Sequence, residues 1–352
     1  MTTALASPVQ LARAEQSSRG TDVCWRVSMS QALDLSAPSG LASTVQGWLP
    51  RDRVPAEGRK PAMLIALSSR EYSTHQAGMR PHTLSLGPTR AWLDHDSSRV
   101  VVESSVCLGW LDLRWRIAEI RVVRDPALES LRAIHTALTL SAALLLARHG
   151  AVLMHAAAVV APDGRAWLVV GDSRSGKSSV CATLIAAGWN YCADDQVIVY
   201  RERGGTQLRV EGWRRVFHLD SGWKRGAPTG LRAPVDPDSL GDGVWQRSAM
   251  LAGTIFTSVD PRLPTVLRAL PSATAMHLLV RQSPWFLVDP ACATACLGIL
   301  GDIAVSPTRR LRSGLDTFGN SSRLLRTLGY DRATLRLCAP PSSRAAPCAF
   351  SE

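Results

Sequence analysis

The residues with the clearest chemical meaning form one short run, GDSRSGKS at 171–178. Gly171 and Gly176 have the spacing of the G-x-x-x-x-G-K-[ST] phosphate-binding loop, which Lys177 and Ser178 complete. In such a loop, successive backbone N–H groups curl around a phosphate, and the glycines permit torsions that a Cβ would block. The lysine reaches the β- and γ-phosphates, and the hydroxyl ligates Mg²⁺. The predicted nucleotide contacts are Gly171, Asp172, Ser173, Arg174, Ser175, Gly176, Lys177, Ser178 and Ser179.

The scarcity of lysine makes this match more specific. The chain has 352 residues and a formal net charge of +11, but only Lys60, Lys177 and Lys224 among its 40 basic residues are lysines. A chance lysine at the loop position is therefore rare. The excess charge alone is weak evidence for a nucleic-acid partner, because the arginines are spread along the chain rather than interleaved with aromatics on one segment.

Two further candidates flank the loop in sequence. Asp194 and Asp195 adjoin an apolar run, where paired carboxylates are costly to bury unless a cation neutralises them. Mg²⁺ at the loop would do so, and strand alternation would turn one carboxylate toward metal and phosphates and the other toward a proton donor. A solvated turn is the alternative. His155 is either a core histidine with satisfied hydrogen bonds or a residue that orients one carboxylate.

The elements that position these residues follow from the apolar patterns. AWLVV at 166–170 predicts a strand into the loop, and a helix should run from Lys177 to Ala187 and stop at Gly188. Further strands are predicted over 151–160, 191–200, 250–259 and 275–281, helices over 291–300 and 321–328, and a long loop over 221–247.

The first third of the chain has a different pattern. Four short extended runs predict a β-rich N-terminal domain: VCWRVSM, PAMLIALSS, RVVVESSV and LDLRWRIAEIRVVR. Asp125 and Pro126 then predict the start of a helix of about 23 residues that Gly150 closes at the domain junction. The predicted organisation is a disordered arm at 1–21, the β-rich domain at 22–125, a catalytic domain at 126–338 and a disordered tail at 339–352.

The sequence argues against several classes of protein. The N-terminus lacks the basic start and apolar run of a secretory signal. The longest apolar stretch, 136–147, is too short for a membrane span, so no membrane partner is expected. The eight cysteines contain no CxxC pair, which indicates reduced, mostly buried thiols and a cytoplasmic location. HExxH and GxSxG motifs are absent from the sequence.

The run from His155 to Tyr200 resembles the catalytic core of the HPr kinase/phosphorylase family, and more closely the HPr kinase-like precursor peptide kinases of the lasso-peptide type. The features that carry the resemblance are a histidine before the loop, the loop itself, a short helix ending in glycine, and Ala-Asp-Asp about 18 residues after the lysine. Ordinary P-loop NTPases place their second acidic motif much farther away. Weaker similarity extends over roughly residues 135 to 285.

The resemblance implies an α/β (α+β) P-loop core related to phosphoenolpyruvate carboxykinase, preceded here by the smaller β-rich domain. It also implies that Asp194 is the general base on a serine hydroxyl, with His155 beside it. Ser178 and Asp195 would hold Mg²⁺, and Lys177 with the loop amides would hold the triphosphate.

The chain departs from the family pattern in two places. Arg174 stands where family loops usually have glycine, and the Glu-x-x-Gly signature of true HPr kinases is absent between Tyr200 and Arg247. HPr is therefore not the expected acceptor, and the reverse phosphorolysis is in doubt. The segment WRRVFHLDSGWKRG stands in its place, and it is either a site for an acidic acceptor or a solvated basic loop. Its candidate substrate residues are Arg214, Arg215, His218 and Lys224.

Together these features predict a kinase that uses ATP and Mg²⁺ to phosphorylate a hydroxyl, a serine in a peptide or a natural-product intermediate, in a chain that could form a homo-oligomer. The alternatives are a nucleotide-binding regulatory or chaperone-like ATPase, and a basic nucleic-acid-associated ATPase. The aspartate pair and the histidine favour the kinase, since a protein that only binds nucleotide needs no base.

Overall fold

The structure, a computed structural model, describes residues between 22 and 330, with gaps at 47, 49–61, 70–83, 95–97, 124–129, 203, 214 and 242–243. The predicted arm at 1–21, the predicted tail at 339–352 and the predicted helix start at Asp125 and Pro126 lie outside the described residues. The described chain is a mixed α/β protein with two large sheets, a two-stranded sheet and six α-helices.

The first sheet takes up the N-terminal third of the chain. Its strands are β1 (Asp22–Ser28), β2 (Leu33–Pro38), β3 (Met63–Ser69), β4 (Leu84–Leu86), β5 (Thr89–Leu93), β6 (Arg99–Glu103), β7 (Cys107–Asp112) and β8 (Ile117–Val122). They lie in the order β1-β2-β3-β8-β7-β6-β5-β4, with β2–β3 and β3–β8 parallel. Along β7 and β8 every second residue is buried, so one face of this sheet packs on the interior.

Helix α2 (Leu131–Ala147) lies between the two large sheets, after the short α1 (Ala42–Gln46). Most of its side chains are buried, as expected for a helix that is apolar on all sides. It packs against strands of the first sheet and against the first strand of the second. One continuous apolar cluster therefore joins the first sheet and α2 to Ile198 of the second sheet and to Trp213, which directly follows a strand of that sheet. The predicted division near residue 125 stays a prediction.

The second sheet carries the candidate site. Its strands are β9 (Ala151–Met154), β10 (Ala156–Val160), β11 (Arg165–Val170), β12 (Asn190–Ala193), β13 (Val197–Arg201), β14 (Leu208–Gly212), β17 (Ser248–Val259), β18 (Val266–Ala269) and β19 (Thr308–Ser313). The main path is β12-β10-β11-β17-β14-β13-β9, and β19 joins β17 to β18. β9 ends this path and β10 is next to its other end, although the two strands are adjacent in sequence, so the sheet curls back on itself.

Helices cover both faces of the second sheet. The helices are α3 (Lys177–Ile185), α4 (Ser272–Arg281), α5 (Pro290–Val305) and α6 (Ser321–Leu328). α3 and α6 share an apolar cluster with one face, and α4 and α5 with the other. Alternate residues of β10 enter the two clusters, which explains why this strand is a continuous apolar run.

Three sequence-based predictions are corrected by the fold. The run at 275–281 is not a strand but the end of α4, which packs on α5. The apolar runs at 151–160 and 191–200 are each two strands, interrupted at His155 and at Asp194–Gln196. The predicted loop at 221–247 contains β16 (Arg232–Val235), which pairs with β15 (Phe217–Asp220).

Other predictions agree with the fold. The strand before the loop, the helix over 291–300 and the helix over 321–328 are present, and the last has the predicted bounds. The six cysteines in the described part are free, and five of them are buried. Across the residues described, none of the helices combines the length and apolarity that a membrane crossing requires.

Candidate functional site

The glycine loop, residues 171–178, connects the end of β11 to the start of α3. A Cβ on Gly171 would lie 2.4 Å from Ser175 Oγ and 2.7 Å from the Thr257 carbonyl oxygen, so only glycine fits there. Gly176 has φ +91° and lies directly before the first helical residue. Both glycines are therefore required by the backbone path, as the motif predicts.

The exposed part of the loop differs from an all-glycine cradle. Arg174 has φ +65°, a left-handed torsion that is unusual for a residue with a Cβ. Its neighbour Ser175 lies 3.1 Å from the hydroxyl of Thr257 on β17, which fastens the loop to the sheet. On the other side, Gln282 Nε2 donates to Asp172 Oδ1 over 2.9 Å. The loop is thus held from two elements, and the Arg174 side chain is exposed.

Lys177 is buried at the mouth of the loop. Its Nζ donates to the carbonyl oxygens of Gly171 and Asp172 over 2.8 and 3.1 Å, and lies 3.2 Å from His155 Nε2. Burial lowers the pKa of Lys177, while the carboxylates of Asp195 and Asp194 act in the opposite direction. Among the contacts described, carbonyl oxygens and the imidazole hold this ammonium, and no carboxylate lies within hydrogen-bond distance of it.

His155 bridges Lys177 to the aspartates. It lies in the break between β9 and β10, where its Nδ1 is 3.1 Å from the Asp195 carbonyl oxygen. Burial and the nearby Lys177 charge lower the pKa of His155, which favours the neutral ring. Since Lys177 donates to Nε2, the hydrogen-bond network assigns the ring proton to Nδ1, which donates to Asp195. His155 is therefore a hydrogen-bonded bridge and not an isolated core histidine.

The aspartate turn, residues 194–196, separates β12 from β13. Asp195 has φ +69°, and the Gln196 amide donates to the Asp194 carbonyl oxygen over 2.9 Å. The two carboxylates do point to different surroundings, but a tight turn separates them rather than strand alternation. Asp194 is 5 % exposed, whereas the Asp195 side chain is 57 % exposed.

Asp194 pairs with the hydroxyl of the glycine loop. Ser178 Oγ lies 3.0 and 3.1 Å from its two carboxylate oxygens. Burial, followed by the charge of Asp195, raises the pKa of Asp194 to about 7, although Ser178, Arg215 and Lys177 act to lower it. The positive groups present therefore do not fully compensate this buried carboxylate.

Asp195 lies on the open side of the turn. Its Oδ1 is 3.8 Å from His155 Nδ1, beyond hydrogen-bond distance, so its carboxylate is available to another donor. The sequence-based assignment paired Ser178 with Asp195, and the structure brings Ser178 to Asp194 instead.

Three of the four predicted substrate residues lie in the described part of the chain. Arg215 has its backbone N–H and carbonyl bonded to the Tyr191 hydroxyl, at 2.9 and 3.0 Å, and its charge acts on Asp194. His218 is exposed on β15, and Lys224 lies in a short 3₁₀ turn, Trp223–Arg225. Arg214 lies outside the described residues. Arg215 is thus the one predicted substrate residue that the described structure brings to the aspartates.

Several residues of the site carry no motif in the sequence. Gln282 bonds Asp172, and its carbonyl oxygen accepts from the His155 amide over 3.0 Å. Thr257 bonds the loop from β17. These residues reach the loop through the sheet and through the end of α4, so only the tertiary structure identifies them.

The donor set suits a magnesium ion shared with a nucleotide. The part of the chain that is described contains no group of three or more His, Cys, Asp or Glu side chains able to hold a metal alone. Mg²⁺ in nucleotide sites needs only one or two protein oxygens, because phosphates and waters supply the rest. Adjacent oxygens of an octahedral Mg²⁺ shell are about 3 Å apart, which the Ser178 and Asp194 oxygens match at 3.0 Å.

Comparison with known proteins adds little to this geometry. No described protein family and no curated protein matches the chain. Among solved structures, the chain is similar to the HPr(Ser) kinase/phosphatase from Coxiella burnetii, with 22 % identity over 34 % of this chain and 77 % of that chain. The TM-score of this match is 0.24, a weak likeness.

Proposed function

We propose that this chain is a Mg²⁺- and ATP-dependent kinase of the HPr kinase-like type, with a core related to that of phosphoenolpyruvate carboxykinase. It would transfer the γ-phosphate to a hydroxyl, a serine in a peptide or a natural-product intermediate. The observation that carries the proposal is the contact between Ser178, at the helix end of the glycine loop, and the buried carboxylate of Asp194. A loop that only fills a strand-to-helix turn has no need for a buried, incompletely compensated carboxylate.

The glycine loop and Lys177 would bind the triphosphate. The loop amides and the N-terminus of α3 supply partial positive charge, and Lys177 would exchange the carbonyls of Gly171 and Asp172 for phosphate oxygens. His155 would stay neutral and keep Lys177 aligned through Nε2. Phosphoryl transfer has a loose transition state, so positioning and charge neutralisation supply most of the rate.

Ser178 and Asp194 would hold the magnesium ion. The separation of their oxygens fits two neighbouring positions of its shell, and a cation there would balance the Asp194 carboxylate. When bound, the ion neutralises charge on the phosphate oxygens and helps to orient them.

Asp195 would then accept the proton from the substrate. The acceptor hydroxyl gives its proton to the Asp195 carboxylate as its oxygen forms a bond to the γ-phosphorus. The bond from that phosphorus to the β–γ bridging oxygen breaks, and ADP leaves with the electron pair. Exposure of the Asp195 side chain and the hydrogen bond from His155 to its carbonyl support this role.

This assignment exchanges the two aspartates relative to the sequence-based one, in which Asp194 is the base and Asp195 joins Ser178 at the metal. Two observations favour the exchange: Ser178 contacts Asp194, and Asp194 is too deeply buried to meet the hydroxyl of a peptide. A pKa near 7 for Asp194 suits a base when no cation is bound, so mutagenesis must separate the two assignments.

The test is to separate transfer from hydrolysis. The wild-type protein is incubated with γ-³²P-labelled ATP, Mg²⁺ and serine-containing acidic peptides, and labelled peptide is counted against released phosphate. Magnesium-dependent peptide labelling that Asp195→Asn abolishes supports the kinase. Phosphate release without peptide labelling, unchanged in Asp195→Asn, favours the ATPase module instead.

A further inference from the structure

We infer that Thr139 and Gln196 are positioning residues through which the first sheet and its connecting segment hold the aspartate turn. Neither residue belongs to the glycine loop, and neither touches it among the contacts described. The inference gives the N-terminal third of the chain a part in catalysis. Its catalytic consequence rests on the function proposed above, whereas its structural consequence does not.

The centre of the arrangement is one buried hydroxyl. Thr139 Oγ1, on α2, lies 2.8 Å from Gln196 Nε2 and 2.8 Å from Trp48 Nε1. Both partners are donors only, so Thr139 accepts from both. The hydroxyl therefore joins the aspartate turn, α2 and the segment after α1 at a single atom.

Gln196 transmits this attachment to the carboxylates. Its backbone N–H donates to the Asp194 carbonyl oxygen and its side chain donates to Thr139, so the same residue closes the turn and attaches it to α2. Between them Asp195 holds a left-handed torsion at φ +69°, which costs free energy unless its surroundings enforce it. His155 enforces it from one side, and Gln196 with Thr139 from the other.

The position of Trp48 is fixed in turn by Trp213, the residue that follows β14. It is 1 % exposed and meets Trp213 edge to face, with ring centroids 5.1 Å apart. Trp213 donates from Nε1 to the Val27 carbonyl oxygen of β1 over 2.6 Å. The preceding residue, Gly212, lies so close to Cys192 and Ala193 that a Cβ would be 2.5 Å from the Cys192 carbonyl oxygen. The strand that leads into the aspartates is thus packed against the same junction.

A second attachment, which we call the Glu211 clamp, joins β14 to the end of β1 and the turn after it. The buried Glu211 carboxylate accepts from the Met29 amide over 2.7 Å and from the Ser28 hydroxyl over 3.0 Å, and it also bonds Ser30. Arg247 Nε lies 3.4 Å from Oε1, the same oxygen that accepts from the Met29 amide. Since Glu211 precedes Gly212 and Trp213, the clamp and the tryptophan pair act on the same short segment at the end of β14. The aspartate turn is therefore fixed relative to the first sheet.

The test replaces the hydroxyl and keeps the side-chain shape. Thr139→Val removes the acceptor, Thr139→Ser keeps it, and Thr136→Val is the control, because Thr136 lies on the same helix and bonds only its own helix at Arg132. Two quantities are measured for each full-length variant: labelled-phosphate transfer to the peptides or to water from ATP and Mg²⁺, and hydrogen exchange of the Gln196 amide by NMR. Assays are run well below each melting temperature.

We expect Thr139→Val to lower kcat roughly 10- to 100-fold with the KM for ATP nearly unchanged, because a misplaced catalytic group costs rate more than binding. The Gln196 amide should exchange faster, and Thr139→Ser should restore both quantities. A Thr139→Val protein with wild-type kcat and exchange overturns the inference, as does a loss that Thr136→Val reproduces.

Failure of the proposed function gives a different result. A wild-type protein that neither transfers nor hydrolyses ATP's phosphate refutes the kinase proposal, and Gln196 exchange alone then decides the inference. An unchanged hydrogen-exchange rate of the Gln196 backbone amide in Thr139→Val overturns the inference. A faster rate in Thr139→Val, with the wild-type rate in Thr139→Ser, supports the inference.

Discussion

The two large sheets bury their strands in different ways, and the candidate site lies in only one of them. In the first sheet, β7 and β8 alternate between buried and half-buried residues, so one face packs against α2. In the second sheet, β9 and β10 are buried at every residue, because helices lie on both faces. A sheet covered on both faces has a low-dielectric interior, in which electrostatic interactions are stronger than in water.

The candidate residues lie where strands of the second sheet end. His155 and Asp194 both lie between two short strands, and the glycine loop follows the end of β11. The carboxylate of Asp194 is therefore buried at an interruption of the sheet, where burial raises its pKa. The first sheet has half-exposed strands and supplies hydrogen bonds that fix the second. If the proposed function holds, the second sheet carries the chemistry and the first sheet supports it, and substitutions in each sheet test this division.

The largest expected effect is the loss of Lys177. Lys177→Ala should weaken binding of MgATP by about 1,000-fold, because the loop loses its one buried ammonium and no other described side chain lies at the same carbonyls. Isothermal titration calorimetry measures the affinity. Arg165→Ala is the control, since Arg165 is exposed at the far end of β11. Unchanged affinity in Lys177→Ala contradicts the assignment of the loop.

The next effect separates the aspartates. Asp195→Asn should lower phosphate transfer by about 100- to 1,000-fold and leave MgATP affinity within about threefold, because it removes a proton acceptor. Asp194→Asn should weaken Mg²⁺-dependent ATP binding itself, because it removes a metal ligand. Transfer assays and calorimetry at several Mg²⁺ concentrations distinguish the two. If Asp194→Asn keeps full MgATP affinity and loses only transfer, the sequence-based assignment is the correct one.

The buried carboxylate also predicts a pH-dependent stability. Because the pKa of Asp194 is raised to about 7, the folded protein retains a proton that the unfolded chain releases between about pH 4 and 7. The free energy of unfolding therefore falls as pH rises through this window. Without nucleotide, Asp194→Asn should be more stable than wild type at pH 8 by on the order of 3 kcal/mol, and the difference should vanish near pH 4.

Urea denaturation at both pH values measures this difference. Asp163→Asn, at an exposed turn before β11, is the matched control and should show no such pH dependence. An Asp194→Asn effect of equal size at pH 4 and pH 8 would show that the charge of Asp194 is not its source.

The two glycines that flank α3 predict a smaller effect on stability and a selective effect on MgATP binding. Gly176 and Gly188 lie at the two ends of the helix with nearly equal torsions, φ +91° and +94°, but only at Gly176 would a Cβ meet a neighbour, Val259 Cγ2 at 2.8 Å. Each alanine variant should lose about 1 kcal/mol of stability from the torsion. Gly176→Ala should also weaken MgATP binding about tenfold or more, and Gly188→Ala should not. Equal binding in the two variants would mean that the loop tolerates a displaced backbone.

The smallest expected effect on chemistry comes from the contact between Glu211 of β14 and the end of β1 in the first sheet. Glu211→Gln keeps the shape of the clamp but removes the charge facing Arg247 and introduces a second donor beside the Ser28 hydroxyl. We expect a loss of about 1–3 kcal/mol in the free energy of unfolding, with MgATP affinity unchanged. A fall in affinity without a fall in stability would show that Glu211 takes part in binding, and the division between the sheets would fail.

The glycine loop is the part of the site that could be predicted residue by residue, because its spacing encodes a backbone shape. The torsion at Gly176 and the crowding at Gly171 are local consequences of that shape. The end of α3 near Gly188 follows from the same kind of local rule, since a left-handed glycine ends a helix. Short motifs are informative when the structure they specify is equally short.

Longer-range features could not be predicted in this way. The run at 275–281 is short and apolar, and such a run fits a strand or a buried helix equally well until its packing is known. It is helical because α4 packs on α5. The breaks at His155 and at the aspartate turn arise where the sheet curls, and apolar periodicity carries no sign of them. The partnership of Ser178 with Asp194 depends on those breaks, so the residue types were identified and their pairing was not.

The curling of the second sheet has a consequence for how the chain folds. β9 pairs with β13, whereas β10 pairs with the next strand, β11, and with β12, so a single residue, His155, connects strands with different partners. The parallel partner of β11 is β17, which lies much later in the chain. Such non-local pairings form slowly. We therefore expect the last strand pairings of this sheet to bring His155, Lys177 and the aspartates together in one step. A partly folded chain then lacks the complete site.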